Sequence, residues 1–421
     1  MAAVINAPGR GRSRLSAATP TNFEMVSSGI WTWFTRPEAV YRNGATYVGW
    51  VNSSGDCGIS KYVHSTETTT SFTLSAALEV DDHNNTSILF LSDGKIMACY
   101  GQHNDGTLRY RISSNAEDIS AWGSELTANS GQGPYSYPHP MRFSDDSTRV
   151  WWFSRRWVLG SSSTRALSMR SGTGIGGGSP SWSNASDVYK LDNKIPYWRL
   201  ASDGVSKLHV AATDQHPNQG QSSLYHFVGT VNSSGVWSWA QSDGTAISTS
   251  PPFGPSDCTQ IYDGSSVRCW VSDICIDGDA RPRVLWMKYP NNNGTAIEYW
   301  HSRWTGIAWT SHKITDDGAG LYSGEEYYHG GLCFDATDPA RVYLSAPNSG
   351  VRQIQEWRTT DSGATWARQR YRTDGGTAGN PLRARPISPR SHNGEVRVLW
   401  WQGTYTSYTS FSTAIYAARE P

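Results

Sequence analysis

Histidine, tyrosine and arginine side chains recur beside strand-like runs in the first half of this sequence. The stretch DDHNN (81–85) carries His83 and directly precedes an alternating apolar run, and His103 follows in YGQH. Tyr137 lies in YSYPHP, and Arg155 lies in WWFSRR. Imidazole and phenol groups transfer protons, and guanidinium groups bind carboxylates. We therefore take these residues as candidates for a reaction on a substrate that carries a carboxylate.

The chemistry that this set favours is the removal of a proton next to a carboxylate. The set contains no obvious pair of catalytic carboxylates, which disfavours ordinary glycoside hydrolysis. An arginine and a histidine can neutralise a substrate carboxylate and stabilise an enediolate-like transition state. A tyrosine or histidine then removes the C5 proton of a uronic acid, and another group protonates the leaving O4 oxygen. A tyrosine base requires a lowered pKa, and a nearby arginine and protonated histidine have the right sign for this.

Paired strand-like runs predict the elements that position these residues. Runs rich in Val, Ile, Tyr and Trp recur throughout, with almost no helical periodicity. Seven pairs of runs flank a polar turn at or near Asn43-Gly44, Asp93-Gly94, Asp145, Asp203-Gly204, Asp277, Asp338 and Asn393-Gly394. Asn-Gly and Asp-Gly suit the positive φ angles of tight hairpins. TTDSGATW (359–366) also fits the Asp-box pattern, a structural turn between the outer strands of many propeller blades.

A hairpin unit that repeats every 50 to 74 residues is typical of a β-propeller blade of four strands. We predict an all-β fold with a single seven-bladed propeller of four-stranded antiparallel blades. The predicted propeller covers residues 23–421 and follows an N-terminal extension at residues 1–22. A pair of β-sandwiches is the alternative, but it does not explain the regular recurrence.

The blade register predicts that the candidate residues meet at one face. The first strand of a blade starts at the face where the second strand ends. Residues that flank the second, third and fourth hairpins at this face are His83 with His103, Tyr137 with Arg155, and Tyr197 with His216. We expect these six residues to share a site, with Asn84, Tyr135 and Arg156 as further substrate-binding candidates.

The composition restricts the partners. The 36 basic and 36 acidic residues cancel, and no basic block occurs, so nucleic acid and anionic membrane are poor partners. The sequence contains no run of 18 apolar residues, so we predict no transmembrane helix. The 20 Trp and 21 Tyr residues fit a surface that stacks on sugar rings, although large core residues account for most of them. We expect an anionic polysaccharide as partner, and the sequence indicates no oligomeric state.

The order of the blade motifs resembles that of seven-bladed propeller polysaccharide lyases, namely the ulvan lyases and related rhamnosyl-glucuronate lyases. The motifs are GIWTWFTRPEAVYRNGATYVGWVNSSGD (29–56), DDHNN with YGQH, YPHPMRF with WWFSRR, PYWRLASDG with LHVAATDQHP (196–217), and GGLCFDATDPARVYLS (330–345). The resemblance implies a polysaccharide lyase that cleaves a uronic-acid polymer by β-elimination. Ulvan, a rhamnose–glucuronate side chain and a bacterial exopolysaccharide are alternative substrates.

The resemblance also implies roles for individual residues. His83 and His103 match the two catalytic histidines, and Tyr137 matches the catalytic tyrosine. Arg155 matches the arginine that neutralises the uronate carboxylate, with Arg156 as a competitor because the hairpin turn is long in this chain. Tyr197 and His216 match positions that line the substrate site. We favour Tyr137 as the base, and also as the acid, with His83 assisting; the sequence does not decide between these two residues.

We expect no cofactor to be required. The spacing of His83, His103, His139 and His216 is not a metal-ligand motif. The adjacent carboxylates of Asp81 and Asp82 are weak evidence for a calcium site. The resemblance is compatible with a structural Ca²⁺ or Zn²⁺ ion, for which we assign no ligands.

The expected location is extracellular or periplasmic. The stretch MAAVINAPGRGRSRLSAATP lacks the apolar core of a signal peptide. Removal of a signal, or export as part of a phage particle, would account for this. Two other functions are alternatives: a non-catalytic glycan-binding propeller, such as an adhesin or phage receptor-binding protein, and a sialidase-like glycoside hydrolase.

Overall fold

The computed structural model describes residues 20–103, 107–128, 132–373, 375–376 and 381–420. These residues form seven antiparallel sheets that follow one another as the blades of a propeller. They contain no α-helix, only the short 3-10 turns Asp82–Asn84, Pro217–Gln219 and Pro255–Asp257. The predicted all-β, seven-bladed propeller is confirmed. In this part of the chain, no helix is long and apolar enough to cross a membrane. The predicted N-terminal extension lies, as far as residue 19, outside the described residues.

Each blade begins with an inner strand near the propeller axis, and its later strands lie further outward. Blade 1 contains β2 (Ala39–Arg42), β3 (Ala45–Val51), β4 (Cys57–Val63) and β5 (Thr68–Ser75). Blade 2 contains β6 (Ser87–Phe90), β7 (Ile96–Tyr100), β8 (Arg109–Ile112) and β9 (Leu126–Thr127). Blade 3 contains β10 (Tyr135–Met141), β11 (Val150–Trp157), β12 (Arg165–Thr173), β13 (Ser181–Trp182) and β14 (Ser186–Lys190). Blade 4 contains β15 (Tyr197–Ser202), β16 (Lys207–Thr213), β17 (Leu224–Val231), β18 (Trp237–Ala240) and β19 (Thr259–Tyr262).

The remaining blades have four strands each. Blade 5 contains β20 (Cys269–Ile276), β21 (Pro282–Lys288), β22 (Ile297–Trp304) and β23 (Trp309–Gly318). Blade 6 contains β24 (Leu332–Asp335), β25 (Asp338–Asn348), β26 (Val351–Arg358) and β27 (Ala367–Tyr371). Blade 7 contains β28 (Leu382–Ile387), β29 (Val396–Ser407), β30 (Ser410–Arg419) and, as its outer strand, β1 (Thr21–Val26).

The seven polar turns connect the first and second strand of every blade, as predicted. At the first turn, Asn43 and Gly44 have φ angles of 44° and 79°, which suit a tight antiparallel hairpin. All seven turns therefore lie at one end of the molecule. The starts of the inner strands and the ends of the second strands lie at the other end, which we call the active face.

Blades 3 and 4 differ from the predicted four-stranded pattern at their outer edge. Two successive strands, β13 and β14, both pair with β12, and β18 and β19 both pair with β17.

A second feature outside the blade pattern is the segment of residues 31–38, which we call the axial segment. Its aromatic residues Trp33 and Phe34 contact the inner strands, with Phe34 4.5 Å from the Tyr197 ring and Trp33 5.2 Å from the Trp270 ring, centroid to centroid.

Candidate active site

The DDHNN loop holds two histidines on one carboxylate. Asp81 caps the 3-10 turn and accepts hydrogen bonds from the backbone N of His83 at 2.9 Å and from its Nδ1 at 2.5 Å. Its second oxygen binds Nδ1 of His103 at 2.9 Å. The two imidazole rings are stacked, with centroids 3.8 Å apart and planes inclined by 7°. Asp81 thus aligns His83 from the start of blade 2 with His103 from the end of β7.

Arg155 joins this pair to the next two blades. Its Nε donates to Ser136 Oγ at 2.9 Å, its Nη1 to the Tyr197 hydroxyl at 2.9 Å, and its Nη2 to His103 Nε2 at 3.0 Å. Because a guanidinium only donates, Nε2 of His103 must accept, so the proton of the neutral ring lies on Nδ1. Arg155 is buried, and its Cζ lies 4.4 Å from the centre of the Tyr137 ring.

Tyr137 reaches the site through an irregular backbone. Its φ angle is 59°, and the pairing of β10 with β11 shifts between Ser136 and His139. A positive φ is costly for a bulky residue, and such strain often occurs at functional sites. The ring lies 5.6 Å from the His83 ring and 6.1 Å from the Tyr197 ring. Its buried hydroxyl makes no well-formed hydrogen bond to the described residues.

The expected lowering of the Tyr137 pKa is not found. Burial raises the pKa of Tyr137 well above its usual value, and the positive charge of Arg155 offsets only part of this effect. Sequence position could show that Arg155 is nearby, but the depth of burial depends on the packed structure. At neutral pH the phenol therefore holds its proton.

The two histidines differ in charge. Burial lowers the pKa of His83, but the carboxylates of Asp81 and Asp82 outweigh it and raise this pKa to about 9. Burial and the charge on His83 lower the pKa of His103 to about 4, although a hydrogen bond to Asp81 opposes them. At pH 7 His83 is thus protonated and His103 neutral. The site presents two cations, His83 and Arg155, beside Tyr137.

Tyr197 and His216 also belong to this cluster, as the register predicted. Their rings meet edge to face at 5.3 Å, and the Tyr197 hydroxyl accepts from Arg155. His216 caps the turn at Pro217–Gln219, where its Nδ1 accepts from the backbone N of Asn218 at 3.0 Å. Burial lowers the pKa of His216 to about 3, so its ring is neutral.

Asn84 is turned from the cluster towards Glu79. Its side-chain amide donates to the Glu79 carboxylate at 2.9 Å, and the same carboxylate accepts from the backbone N of His103 at 3.0 Å. Its contacts therefore support the loop, and none of the contacts of its side chain reaches His83, Tyr137 or Arg155.

Arg156 and Tyr135 also lie outside the cluster. Arg156 forms an ion pair with Asp187 at 2.7 Å, because successive residues of a strand point to opposite sides of the sheet. Tyr135 lies in the apolar contact between blades 2 and 3, with Arg170 4.7 Å from its ring centre. The irregularity after Ser136 separates its orientation from that of Tyr137.

Sequence reasoning missed the contribution of blades 6 and 7. Tyr328 bonds to His83 through its hydroxyl, 3.1 Å from Nε2. Arg385 and Tyr405 both donate to Asp82 Oδ2, at 2.6 Å and 2.7 Å, and the Tyr408 ring lies 5.2 Å from the His83 ring. A signal existed: Tyr328 precedes the Asp338 turn by ten residues, the same offset that separates His83 from the Asp93 turn.

Among the described residues, Asp81, His83 and His103 form the one group that could hold a metal ion, with ligand atoms within 4.8 Å of one another. Two imidazoles and a carboxylate are ligands that zinc accepts. Both Nδ1 atoms, however, are already bound to Asp81, and the Nε2 atoms face Tyr328 and Arg155. A metal ion would have to replace these hydrogen bonds. His139 and His216 are not part of this group.

The fold and the site together define a seven-bladed β-propeller with a buried histidine, tyrosine and arginine cluster at its active face. The chain belongs to the BNR repeat-containing family, whose family model matches residues 45–317. No curated protein matches the chain.

Solved structures of polysaccharide lyases are similar to the chain. One is a PL25 ulvan lyase, which matches over 94% of each chain with a TM-score of 0.70 at 15% identity. The same kind of enzyme bound to -[GlcA(1-4)Rha3S]- matches with a TM-score of 0.70 at 14% identity, again over 94% of each chain. The polysaccharide lyase Uly1 matches with a TM-score of 0.56 at 12% identity, over 96% of this chain and 99% of its own. The resemblance inferred from the blade motifs is thus confirmed as a shared fold.

Proposed function

We propose that this protein is a polysaccharide lyase that cleaves a uronic-acid-containing polysaccharide by β-elimination. The observation that carries the proposal is the pair of cations, Arg155 and His83, that both contact the ring of the buried phenol Tyr137. Two cations beside a proton-transfer group suit a substrate carboxylate whose neighbouring carbon loses a proton. The fold shared with polysaccharide lyases supports the same class of reaction. An extracellular or periplasmic location and an anionic polysaccharide as partner, with ulvan foremost, are parts of this proposal.

In the proposed reaction, two cations bind the substrate carboxylate and Tyr137 transfers the proton. Arg155 and protonated His83 bind the carboxylate and stabilise the negative charge that moves onto it when the C5–H bond breaks. The C4–O4 bond then breaks, a C4–C5 double bond forms, and a proton passes to O4. In the resting site Tyr137 is a protonated phenol. To take the C5 proton, Tyr137 must first release its own proton to water and become a phenolate, which the charges of Arg155 and His83 stabilise. It then passes the proton taken from C5 to O4 and is a phenolate again when the product forms.

The decisive experiment follows ultraviolet absorbance of unsaturated uronate during incubation with uronic-acid polysaccharides, ulvan first. We expect the wild type to produce this signal and Tyr137→Phe to lower kcat at least about 100-fold while glycan binding is retained. His83→Ala should weaken both binding and turnover, because a cation is lost. Tyr135→Phe is the matched control, since this buried tyrosine lies two residues away and outside the cluster.

Other outcomes would assign a different function. New reducing ends without an absorbance signal would identify a hydrolase. Binding of a glycan without either signal would identify a glycan-binding propeller. Full activity in Tyr137→Phe would exclude this phenol from the proton transfers.

A further inference from the structure

A cavity of about 260 Å³ lies on the propeller axis at the end opposite the active face. It is lined by the ends of the inner strands of blades 4 and 5, by residues that follow the inner strands of blades 6 and 7, and by the axial segment. Its lining includes Ser202 and Ile276, which directly precede the Asp203 and Asp277 turns. The cavity therefore lies at the end of the propeller where the seven polar turns lie. We call it the axial cavity.

Arg36, Arg390 and Asp273 line the axial cavity, and the charged groups of Arg199 and Glu38 lie beside them. Arg36 Nη1 lies 2.9 Å from Asp273 Oδ1, and Arg36 Nε lies 3.5 Å from Glu38 Oε2. Arg199 Nη2 lies 3.7 Å from the same Asp273 oxygen that Arg36 already binds. Arg390 faces a neutral ring, with Nη2 3.5 Å from His139 Nε2. These five charged groups come from blades 4, 5 and 7 and the axial segment, so their charges converge only in the folded ring.

The positive charge exceeds the negative charge. Arg199 is 1% exposed, and none of its three guanidinium nitrogens has a hydrogen-bond partner among the described residues. Burial raises the pKa of Glu38 to about 7, so this carboxylate is only partly ionised near neutral pH. Burial and the charge of Arg36 lower the pKa of Arg390 to about 10. A buried guanidinium without a partner is costly unless an anion compensates it.

We propose that the axial cavity binds a small inorganic oxyanion of the sulfate or phosphate type, held by Arg36 and Arg390, which line the cavity, with the charge of Arg199 beside them. The planar guanidinium fork matches the oxygens of a tetrahedral anion. The cavity volume exceeds that of a single water by several-fold, so it accommodates such an ion together with water. The anion would connect the axial segment to blade 7, and its role is therefore structural and independent of the reaction at the active face.

The test is thermal unfolding during titration with sodium sulfate or sodium phosphate, with sodium chloride keeping the ionic strength constant. We expect a saturable rise of Tm of about 3 °C in the wild type, because an anion that binds only the folded state stabilises it. Arg199→Met should weaken the saturable rise, because a positive charge beside the anion is lost. Without sulfate its Tm should stay close to that of the wild type, because Arg199 makes no hydrogen bond and only a 3.7 Å ion pair with an Asp273 oxygen that Arg36 already binds.

Two further variants separate this site from general effects. Arg372→Met is the matched control, since Arg372 is buried but has ion pairs with Glu356 and Glu420. Its Tm should fall, while its response to sulfate stays. Arg390→Gln, at the partly exposed mouth of the cavity, should weaken the response if Arg199→Met does not fold.

A direct measurement locates the ion. Crystals soaked in selenate should show anomalous scattering in the axial cavity, beside Arg36 and Arg390. The proposal is overturned if the selenate signal is absent there, if the wild type shows no saturable response to either oxyanion, or if Arg199→Met responds like the wild type.

Discussion

The two stacked histidines of the candidate site show how neighbours decide the charge of identical side chains. His83 contacts Asp81 and Asp82, with Nδ1 2.5 Å and 3.0 Å from their oxygens, whereas His103 shares Asp81 with it and also faces Arg155. The carboxylates therefore stabilise the charge on His83, and that charge in turn disfavours a second one on His103. The charged imidazole of the pair is thus His83.

This difference predicts the alkaline limit of the proposed activity. The folded pKa of His83, about 9, lies above its ordinary value of 6.5, so the charge on His83 is present below pH 9 and lost above it. We expect kcat/KM on an anionic substrate to fall as the pH rises through about 9. The stability that this charge gives the fold is complete below pH 6.5 and fades between pH 6.5 and 9.

Tyr328 provides a specific test of that limit. Protonated Nε2 of His83 donates to the Tyr328 hydroxyl, so Tyr328→Phe removes an acceptor of the charged form. Loss of one such hydrogen bond is worth about 1 kcal/mol, which lowers the pKa of His83 by about one unit. The alkaline limb of kcat/KM, or the His83 ring titration followed by NMR, should move from about 9 to about 8.

The matched control is Tyr343→Phe, which removes a tyrosine hydroxyl bound to Asp335 in blade 6. The alkaline limb should stay in place in this variant. An unchanged limb in Tyr328→Phe would show that this hydroxyl does not stabilise the charged His83.

At the scale of strands and turns, the sequence predicts what local chemistry determines. Asn-Gly and Asp-Gly turns require positive φ angles, and this requirement is visible in the residue types. The bulge that turns Tyr137 away from the orientation of Tyr135 has no such signature. The side chains from blades 6 and 7 lie more than 240 residues from His83, so only the ring geometry brings Tyr328 to it. The axial segment belongs to no repeat and could not be predicted.

The Asp-box turn shows a local motif with a structural role. It joins β26 and β27, where the Thr359 and Asp361 side chains accept hydrogen bonds from the backbone N of Gly363 and Thr365. Gly363 has a φ angle of 97°, and a Cβ at this position would overlap the buried ring of His301. Both the backbone and the packing therefore require glycine at this position.

We expect Gly363→Ala to reduce the free energy of unfolding by roughly 2–4 kcal/mol, from backbone strain and overlap with His301. The change in Tm measures the loss, and kcat/KM at permissive temperature should stay unchanged. The matched control is Gly204→Ala, where φ is 74° and no atom lies within 4 Å of the added carbon. It should cost only the backbone strain, about 1 kcal/mol. Equal losses in both variants would mean that the His301 contact is unimportant.

At the scale of the whole molecule, the ring is closed by the two ends of the described chain. β1 pairs with β30, and Thr21 lies opposite Arg419, so blade 7 is built from both ends. Met25 and Val26 of β1 are 3% and 7% exposed. Closure therefore rests on buried side chains as well as on strand pairing, and the cluster of blades 2, 3, 4, 6 and 7 at the active face depends on it.

Removal of β1 tests this dependence. A chain of residues 27–420 should unfold at a Tm lower by about 5 °C or more than the chain of residues 20–420, because the Met25 and Val26 side chains no longer contribute buried area. The control is a circular permutant of residues 20–420, in which a short linker joins residue 420 to residue 20. Its new ends lie at the exposed turn of Asp243 and Gly244, between β18 and β19. The permutant keeps β1 beside β30, so its Tm should stay close to that of the unpermuted chain. A large loss in the permutant as well, or none in the truncated chain, would show that pairing of the two ends does not hold the ring.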